Sequence, residues 1–383
     1  MTATPWPQAR TTAYAAAAPL PPVEVDLAAA AGCVLAGPLW SLVPLPAFDT
    51  AAMDGWAVRG PGPWRVVGRL LAGGGELPGI ADGEAVEIAT GAQVPAGAEG
   101  VLPYEQGVVL GTELTGPAPD GDHVRRTGEE CPARTALLPS GSVASPAVLG
   151  LAAAVGHDVL TVHPPARVVA LVTGDELLRS GLPGAGRVRD AVGPLLPGAV
   201  AAGGGRLLGV RHLTDDAEVL RLAVQDADAD VVITSGASSV GRADFLLAVL
   251  ERLDADVLIG SVAVRPGHPQ VLARLTDGRL LVGLPGNPLA ALAGLVSLLA
   301  PVLAGLAGRP MPVPGSARLT EPLGSAPHDH RLVPVRLSGD LARPTGHGGS
   351  AMLRGAAGAD AFAVVAPGCD VAAGDAVDVL PLP

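Results

Sequence analysis

The sequence predicts a multidomain α/β plus β protein, with a central parallel α/β domain between smaller β units. From Arg167 onward, apolar strands alternate with helical stretches of about 10–15 residues, which is the pattern of a parallel sheet. Short β runs separated by Gly, Pro and Asp turns occupy residues 56–110, and a second β-rich stretch begins near residue 310. The 383 residues suffice for about two to four domains.

Composition narrows the class of partners. The formal net charge is −12, and no window gathers arginine into a stripe with aromatic residues between, so nucleic-acid binding is not expected. An acidic protein binds an anion through backbone N–H groups, a few arginines, or a metal ion held by carboxylates. The chain has no lysine and a single asparagine, Asn287, so the polar residues that it keeps are unusually informative.

Three features predict a cytoplasmic protein without membrane contact: the cysteines, the N-terminal segment and the apolar segment 289–308. Cys33, Cys131 and Cys369 are odd in number and far apart, which favours neither a disulfide framework nor a zinc site. The N-terminus lacks a basic region followed by an apolar core, so no signal peptide is expected. Residues 289–308 are long enough to span a membrane, but they follow a Pro-Gly-Asn-Pro turn and contain Pro301, so we expect a buried helix kinked near its end.

The elements before the α/β domain are short. An Ala-rich helical stretch opens the chain, and residues 21–39 predict a strand, a short helix and a second strand. The runs "WAVRG", "WRVVGRLLAG", "AVEIATG" and "GVLPYEQGVVL" within residues 56–110 predict a small all-β unit. A helix is expected over "SPAVLGLAAAVG", with Ser145 as N-cap and Pro146 in its first turn.

The central domain begins with "RVVALVTGDEL" (167–177), a continuous apolar strand that ends in a Gly turn. A helix is predicted over "DDAEVLRLAVQDA" (215–227), and "DVVITSGASSVGRADFLLAVLERL" (230–253) predicts a strand, a loop and a helix. The later runs "HRLVPVRLSG", "AFAVVAPG" and "DAVDVLPL" predict a second small β domain.

Ligands of open parallel sheets bind beyond the carboxyl ends of the strands, so the loops that follow the strands form the candidate site. These loops are 173–176, 214–216, 234–244 and 283–288. In the third loop, backbone N–H groups near Gly241 and the hydroxyls of Ser235, Ser238 and Ser239 could surround a phosphate at a helix N-terminus. The alternative is an ordinary strand-to-helix turn with serine caps.

Carboxylates are predicted to converge along the same sheet edge. Asp175, Glu176, Asp215, Asp216 and Asp244 all follow strands. Carboxylates placed together repel one another unless a cation or a proton compensates, and Mg²⁺ shared with substrate phosphates is the simplest compensation. Asp216 is instead predicted to cap the helix that begins there, whereas for Asp215 capping and a place in the site are equal alternatives.

Two further motifs lie outside the α/β domain. "PLPAFDTAAMDGWAV" (44–58) sets Asp49 and Asp54 among small residues, and "GAQVPAGAEGVLPYEQ" (91–106) follows Thr90. Both segments are too irregular to be core strands. Turns explain their Gly and Pro content but not the Met-Asp-Gly-Trp run.

Taken in order, these motifs resemble one family, the molybdopterin molybdenumtransferases of the MoeA and gephyrin E-domain type. "FDTAAMDGWAV" is similar to the family's Phe-Asp-x-Ser-Ala-Met-Asp-Gly-Tyr-Ala segment, and "TGAQVPAGAEGVLPYE" to its Thr-Gly-Ala-x-x-Pro-x-Gly-Ala-Asp segment. "TGDEL", "TSGASSVGRAD" and "GLPGNP" correspond to its α/β signature loops. Five motifs that occur in the family's order between residues 48 and 288 are a specific sign of this family, whereas any one of them alone would not be.

The resemblance implies an elongated four-part subunit in a homodimer. The implied parts are an elongated N-terminal linker domain (1–46 and 132–165), a small β domain inserted in it (47–131), a MogA-like molybdopterin-binding α/β domain (166–309), and a C-terminal β-barrel-like domain (310–383). The implied reaction inserts molybdenum from molybdate into adenylylated molybdopterin, with Mg²⁺-dependent release of AMP. The implied partners are the molybdopterin adenylyltransferase and molybdoenzymes.

The resemblance also assigns roles by motif position. Asp54 and Thr90 would approach the site from the partner subunit. Glu176, Asp215 and Asp244 would form an acidic wall that holds Mg²⁺ and, with Asp54, is catalytic. The implied substrate-binding residues are Thr90, Glu130, Thr173, Gly174, Ser235, Gly236, Ser239, Gly241, Arg265, His268, Pro285, Gly286, Asn287 and Pro288.

The chain departs from the family pattern at several of these positions. The second Gly and the Val of the Gly-rich loop are Ala237 and Ser238, and the second Lys of Lys-Pro-Gly-Lys-Pro is His268, which weakens an anion contact when neutral. Glu130 stands at an Asp position, and a substrate-contacting Asn is replaced by Val192. These departures leave two interpretations open, a working but divergent transferase or a catalytically reduced paralogue that binds molybdopterin or acts as a scaffold. A nucleotide pyrophosphatase on the same α/β domain is a third, but it would not need residues 44–106.

Asn287 is predicted to be more than a helix cap. It precedes Pro288 at the start of an apolar helix, where Asp or Ser would cap as well, and the chain uses both residues freely. A neutral amide beside crowded carboxylates explains its retention better, because Asp would add another charge there.

Overall fold

The computed structural model describes residues 2–74, 79–119, 121, 123–236 and 245–383. They form two units. The larger unit contains the N-terminal residues through Val23, residues 32–36, and the chain from Thr161 onward, and the smaller unit contains residues 24–31 and 37–160. The four domain boundaries expected from the family resemblance stay a prediction.

A six-stranded sheet forms the centre of the larger unit. Its strands are β1 (Ala166–Thr173), β2 (Gly205–Leu213), β3 (Val231–Ser235), β4 (Asp256–Ile259), β5 (Val271–Arg274) and β6 (Leu280–Leu284). Their order is β2-β1-β3-β6-β5-β4; the first four are parallel, whereas β5 runs antiparallel to both β6 and β4. The sheet is therefore mixed at one edge, because the link between β5 and β6 is too short for a parallel crossover.

Both faces of the central strand β3 are covered. Alternate side chains of a strand point to opposite faces. Val231 and Ile233 pack in the cluster that contains Leu292 of the helix Pro288–Leu306, whereas Val232 packs with Leu220 and Leu246 of helices on the other face. The helices of this unit are Trp6–Ala15, Leu196–Ala202, Ala217–Gln225, Leu246–Arg252, Pro288–Leu306 and Leu353–Ala356. This double covering explains the continuous apolar run in the sequence.

The predicted buried helix is confirmed. Residues Pro288–Leu306 form a 19-residue helix whose most apolar window is 94% buried within the fold. Within the described part of the chain, it is the one helix that is long and apolar enough to cross a membrane. A π-helical turn at Leu295–Leu299 ends two residues before Pro301, which lacks the N–H that an α-helix needs there.

The C-terminal residues form a closed five-stranded β-barrel. Its strands, in order around the barrel, are His330–Ser338, Leu341–Pro344, Gly315–Leu319, Ala376–Pro381 and Ala361–Val365, and the last pairs back to the first. Leu319, Val335 and Val365 lie in its buried core. The predicted C-terminal β domain is confirmed.

A second six-stranded sheet forms the core of the smaller unit. In order, its strands are Val108–Leu110, Glu113–Thr115, Trp64–Leu70, Glu84–Ile88, Gly55–Val58 and Gly100–Pro103. The helix Pro146–Ala154 begins as predicted, because Ser145 Oγ accepts a hydrogen bond from the N–H of Val148. The short helix expected within residues 21–39 is wrong: residues 27–32 form turns that end at Gly32, where φ is +75°.

The remaining strands are two to five residues long. They are Thr4–Pro5, Val23–Asp26, Val34–Leu35, Leu39–Trp40, Thr50–Ala51, Val124–Arg125, Ala136–Leu138, Val159–His163, Leu177–Leu178, Val188–Arg189 and Val262–Arg265.

Candidate active site

A cavity of 560 Å³ opens at the carboxyl ends of β1, β3 and β6. Most of the predicted site residues of the α/β domain line it, namely Thr173, Gly174, Glu176, Asp215, Ser235, Gly236, Pro285, Gly286, Asn287 and Pro288. Loops that are more than 100 residues apart in the sequence, at residues 173 and 288, meet here because parallel strands end at the same edge of a sheet.

Glycines allow the loops of this cavity to approach one another closely. Gly236 has φ of +102°, and a Cβ there would lie 2.3 Å from the carbonyl oxygen of Thr173. The loop after β6 lies beside it, because a Cβ on Gly286 would be in ordinary van der Waals contact with the Cα of Gly236, at 3.4 Å. Since no side chain fits at residue 236, its backbone N–H and carbonyl form part of the wall.

The neighbouring carboxylates Asp215 and Asp216 have different partners. Asp216 Oδ1 accepts hydrogen bonds from the N–H groups of Glu218 at 2.7 Å and Val219 at 3.0 Å, so its predicted capping role is confirmed. Asp215 does not cap the helix; its Oδ2 accepts from the N–H of Asp175 at 3.2 Å, and the residue lines the cavity. Asp215 is therefore the carboxylate of this pair that is available to a ligand.

Glu176 and Asp215 suit Mg²⁺ as far as the described residues go. Both carboxylates are exposed and line one cavity, and neither forms an ion pair with a cation in the described ranges. No group of three or more His, Cys, Asp and Glu side chains suited to a metal ion occurs in that part of the chain. Mg²⁺ is commonly held by one or two carboxylates and completes its shell with water and substrate phosphates, so this donor set fits.

Several predicted residues lie outside the described residues. They are the catalytic and metal candidate Asp244, the substrate-binding candidates Ser239 and Gly241, and the departures Ala237 and Ser238.

A buried carboxylate that sequence analysis did not assign to the site lies in the cavity wall. Asp190 Oδ1 accepts hydrogen bonds from the N–H groups of Val192 and Gly193, each at 2.9 Å, and its Oδ2 lies 2.8 Å from Nε2 of His212. Val192 is 4% exposed, so the wall is apolar where the family resemblance implies an Asn. Arg189, also missed, lines the cavity beside Asp190. The sequence signal for both residues was that they immediately precede Ala191 and Val192, because an Asp-Ser-Asn stretch of the family stands at residues 190–192.

Asn287 occupies the N-cap position of the helix that starts at Pro288, but its side chain makes no capping hydrogen bond. Its backbone carbonyl accepts from the N–H of Ala291 at 2.8 Å, as that of any N-cap residue would. The amide side chain is exposed and lines the cavity. The N-cap position was predicted, and the side chain performs none of the capping.

Arg265 and His268 do not line this cavity. Arg265 Nε lies 2.7 Å from Oδ2 of Asp329, and His268 Nδ1 lies 3.9 Å from the other oxygen of that carboxylate. Arg265 pairs in parallel register with Arg331, and both line a second cavity of 270 Å³ together with Ser350. Among the described residues, the lining of this second cavity therefore contains two guanidinium groups and no carboxylate, while Asp329 and Asp370 lie near Arg265 and Arg331 respectively.

The smaller unit joins Asp54 to Thr90. Asp54 Oδ1 accepts from the backbone N–H of Thr90 at 2.6 Å and from its hydroxyl at 2.9 Å. The backbone bond first, and the hydroxyl second, hold the pKa of the Asp54 carboxyl below its ordinary value. Asp49 is bound in the same way by Thr127, whose backbone N–H lowers the pKa of Asp49. The predicted residue Glu130 is exposed in this unit.

Comparisons with known proteins agree over nearly the whole chain. Residues 4–156 match the sequence profile described as the MoeA N-terminal region (domain I and II), residues 169–305 that of a probable molybdopterin binding domain, and residues 316–382 that of the MoeA C-terminal region (domain IV).

Individual relatives and a solved structure point the same way. The chain is 36% identical over 314 residues to molybdopterin molybdenumtransferase 2 of Mycobacterium tuberculosis, covering 76% of each chain. It is 30% identical over 305 residues to the molybdopterin molybdenumtransferase of Staphylococcus aureus, covering 76% of this chain and 72% of the relative. The crystal structure of a molybdopterin biosynthesis MoeA protein from Pyrococcus horikoshii superposes with a TM-score of 0.80 at 27% identity and covers 99% of both chains.

Proposed function

The chain belongs to the molybdopterin molybdenumtransferase family, and from this premise we propose that it inserts molybdenum from molybdate into adenylylated molybdopterin, with release of AMP. Membership makes it a transferase of molybdenum cofactor biosynthesis. The observation that carries the finer proposal is the cavity in which Glu176 and Asp215 meet the loops at Gly236 and Gly286.

The cavity walls suit a phosphoanhydride. The backbone at Gly236 approaches Thr173 too closely for a side chain at residue 236, so backbone groups border the space where a phosphate would lie. Ser235 and Thr173 add hydroxyls beside them. Fixed groups of this kind orient the phosphates, and positioning together with electrostatic stabilisation accounts for most of the catalysis of phosphoryl transfer.

Glu176 and Asp215 are the proposed Mg²⁺ ligands, with Asp244 as the third. When bound, Mg²⁺ supplies charge neutralisation and polarisation of the phosphate oxygens. The chain holds carboxylates of the cavity in place: the N–H of Asp175 donates to Asp215, and the neighbouring Asp190, which is not a proposed ligand, is held by Val192, Gly193 and His212. The sulfurs of the substrate provide the ligands for molybdenum, so the protein needs to position rather than to bond the metal.

For molybdate, the proposed binding place is the second cavity. Molybdate is an oxyanion, and Arg265 and Arg331 present guanidinium groups that bind oxyanions with two parallel hydrogen bonds. Asp329 compensates part of their charge through Arg265. His268, at 3.9 Å from the same carboxylate, adds positive charge when it is protonated.

The assembly that we propose is a homodimer in the cytoplasm, in which Asp54 and Thr90 act at the partner's cavity. Support comes from the smaller unit, where Trp40, Leu42 and Phe48 expose 45% to 55% of their surface. Large apolar side chains that are exposed together on a surface mark protein interfaces, and these three residues are the candidates for one. The substrate would come from a molybdopterin adenylyltransferase, and the product would pass to molybdoenzymes.

A second function is favoured by Val192 and His268, which remove polar or positively charged groups from positions that resemble substrate contacts. On this alternative, the protein binds molybdopterin or acts as a scaffold without turnover.

The test combines purified protein, Mg²⁺, molybdate and adenylylated molybdopterin, with AMP measured by chromatography and cofactor measured by reactivation of a molybdenum-free molybdoenzyme. We expect both products. Tight pterin binding without AMP would favour the scaffold, and cleavage of free dinucleotides without pterin would favour a pyrophosphatase.

A further inference from the structure

We propose that Arg189 binds a phosphate group of the pterin substrate inside the cavity and thereby sets its affinity for phosphorylated pterins. The inference rests on the proposed function, which supplies the phosphoanhydride, but it assigns a residue that no motif of the family resemblance marks. It is carried by the position, the bonding and the charge of this arginine.

The first observation is the position of Arg189 in the cavity wall. Arg189 ends the short strand Val188–Arg189, which pairs in parallel with Leu177–Leu178, so Leu178 lies opposite Arg189. The N–H of Val188 also donates to the carbonyl of Glu176 at 3.0 Å. These bonds tie Arg189 to the segment that carries the acidic residue Glu176, and both residues line the same cavity.

The bonding of Arg189 leaves most of its donors available. Its guanidinium donates one hydrogen bond, from one terminal nitrogen to the carbonyl of Gly181 at 2.7 Å, and it forms no ion pair with the described residues. A guanidinium carries five N–H donors in a planar fork. One bond therefore orients the group and leaves donors for a phosphate, which guanidinium binds with paired hydrogen bonds.

The acidic lining of the cavity makes a cationic side chain such as Arg189 favourable for binding a phosphate. Glu176, Asp190 and Asp215 line the wall, and Arg189 is the one cationic side chain among the lining residues that belong to the described ranges. A phosphoanhydride brought against carboxylates alone is repelled. Even with Mg²⁺ at Glu176 and Asp215, the phosphate that is not shared with the metal needs a cation, and Arg189 is placed to be that cation.

Other arginines of the same loop provide contrasts. Arg187 donates to the carbonyl of Asp175 at 2.5 Å and does not line the cavity. Arg179 is exposed and does not line the cavity either. Arg179→Gln is therefore a matched control, because it makes the same change of charge in the same loop as Arg189→Gln.

The experiment measures the dissociation constant of adenylylated molybdopterin for the full-length protein and for Arg189→Gln, Arg189→Lys and Arg179→Gln, with thermal unfolding of each. We expect Arg189→Gln to weaken binding by about 10- to 100-fold, the range for losing a charge-assisted hydrogen bond to phosphate. Arg189→Lys should recover part of the affinity, since it restores the charge without the fork. Arg179→Gln should stay within about twofold of wild type, as exposed substitutions usually do.

The outcomes separate this inference from the function on which it rests. Affinity of Arg189→Gln within about twofold of wild type would overturn it, and so would an equal loss in Arg179→Gln or a loss that follows reduced thermal stability. If the wild type binds with an affinity that depends on Arg189 but releases no AMP, the proposed reaction fails and this inference stands. If the wild type does not bind adenylylated molybdopterin, both fail.

Discussion

Asp54 and Thr90 are joined through one carboxylate oxygen, which accepts both the backbone N–H of Thr90, at 2.6 Å, and its hydroxyl, at 2.9 Å. The two residues come from separate motifs of the sequence, at residues 48–58 and 90–105. The bonds lower the pKa of Asp54, chiefly through the backbone N–H. Asp54 is therefore a fixed negative charge at neutral pH, suited to orienting a group rather than to donating a proton.

Thr90→Val should raise the pKa of Asp54 partway toward its ordinary value, because it removes the hydroxyl bond and keeps the larger backbone bond. A carboxyl with a lowered folded pKa stabilises the fold above its unfolded pKa of about 3.9, and this contribution is lost as pH falls through the folded pKa. Carboxyl NMR titration measures the shift. Thr127→Val is the control, since it removes the equivalent bond to Asp49 and should leave Asp54 unchanged. An unchanged Asp54 pKa in Thr90→Val would refute the assignment.

Asp215→Ala should lower activity and Asp216→Ala should lower stability, although the two residues are adjacent. Asp216→Ala removes an N-cap and should cost about 1 kcal/mol in the free energy of unfolding while AMP release stays near wild type. Asp215→Ala should lower the rate of AMP release by about 100-fold, as loss of one electrostatic stabiliser does, with little change in stability. Urea melts and single-turnover assays on both variants measure this, and matching profiles would show that the division of roles is wrong.

Asn287→Asp should lower activity far more than stability. The side chain makes no capping bond, so little stability is available to lose, whereas a new carboxylate would add charge to a cavity that already contains Glu176 and Asp215. Asn287→Ser is the neutral control. Rates of AMP release and urea midpoints decide the matter, and equal losses of activity and stability in Asn287→Asp would mean that the residue is only a cap.

Gly236→Ala should destabilise the fold by about 2–3 kcal/mol, the cost of a strained backbone conformation and a steric clash. Its Cβ would lie 2.3 Å from the carbonyl oxygen of Thr173, at a φ of +102°. Gly209→Ala in β2 is the control, because a Cβ there has no neighbour within 4 Å and should change stability by less than about 1 kcal/mol. Comparable urea midpoints for the two variants would contradict the close packing of the loops.

Sequence reasoning found the elements and most of the cavity for a physical reason. Buried strands leave continuous apolar runs, and parallel strands deliver their following loops to one edge, so Thr173, Ser235 and Pro285 could be expected to meet. Asp216 was also predictable, since a cap depends only on its own helix.

Features set by distant contacts were not predictable. Arg189 and Asp190 lie in a Gly-rich stretch without periodicity, and only the fold brings Asp190 to His212 on β2. The antiparallel edge of the central sheet was missed because a short link after β5 reads as any other turn. The family resemblance predicted that Asp54 and Thr90 act at the site, whereas the hydrogen bonds between them are visible only in the structure.

We propose that Glu176 and Asp215 make the cavity a magnesium-dependent site of phosphoanhydride cleavage, and the other functional assignments depend on this role. The most direct measurement is single-turnover release of AMP from adenylylated molybdopterin in the presence of molybdate, titrated with Mg²⁺, for wild type and Glu176→Gln. We expect that AMP release by wild type saturates with Mg²⁺ and that Glu176→Gln needs at least about tenfold more Mg²⁺ for the same rate. Identical Mg²⁺ dependence in the two proteins, or AMP release that persists in a chelator, would contradict it.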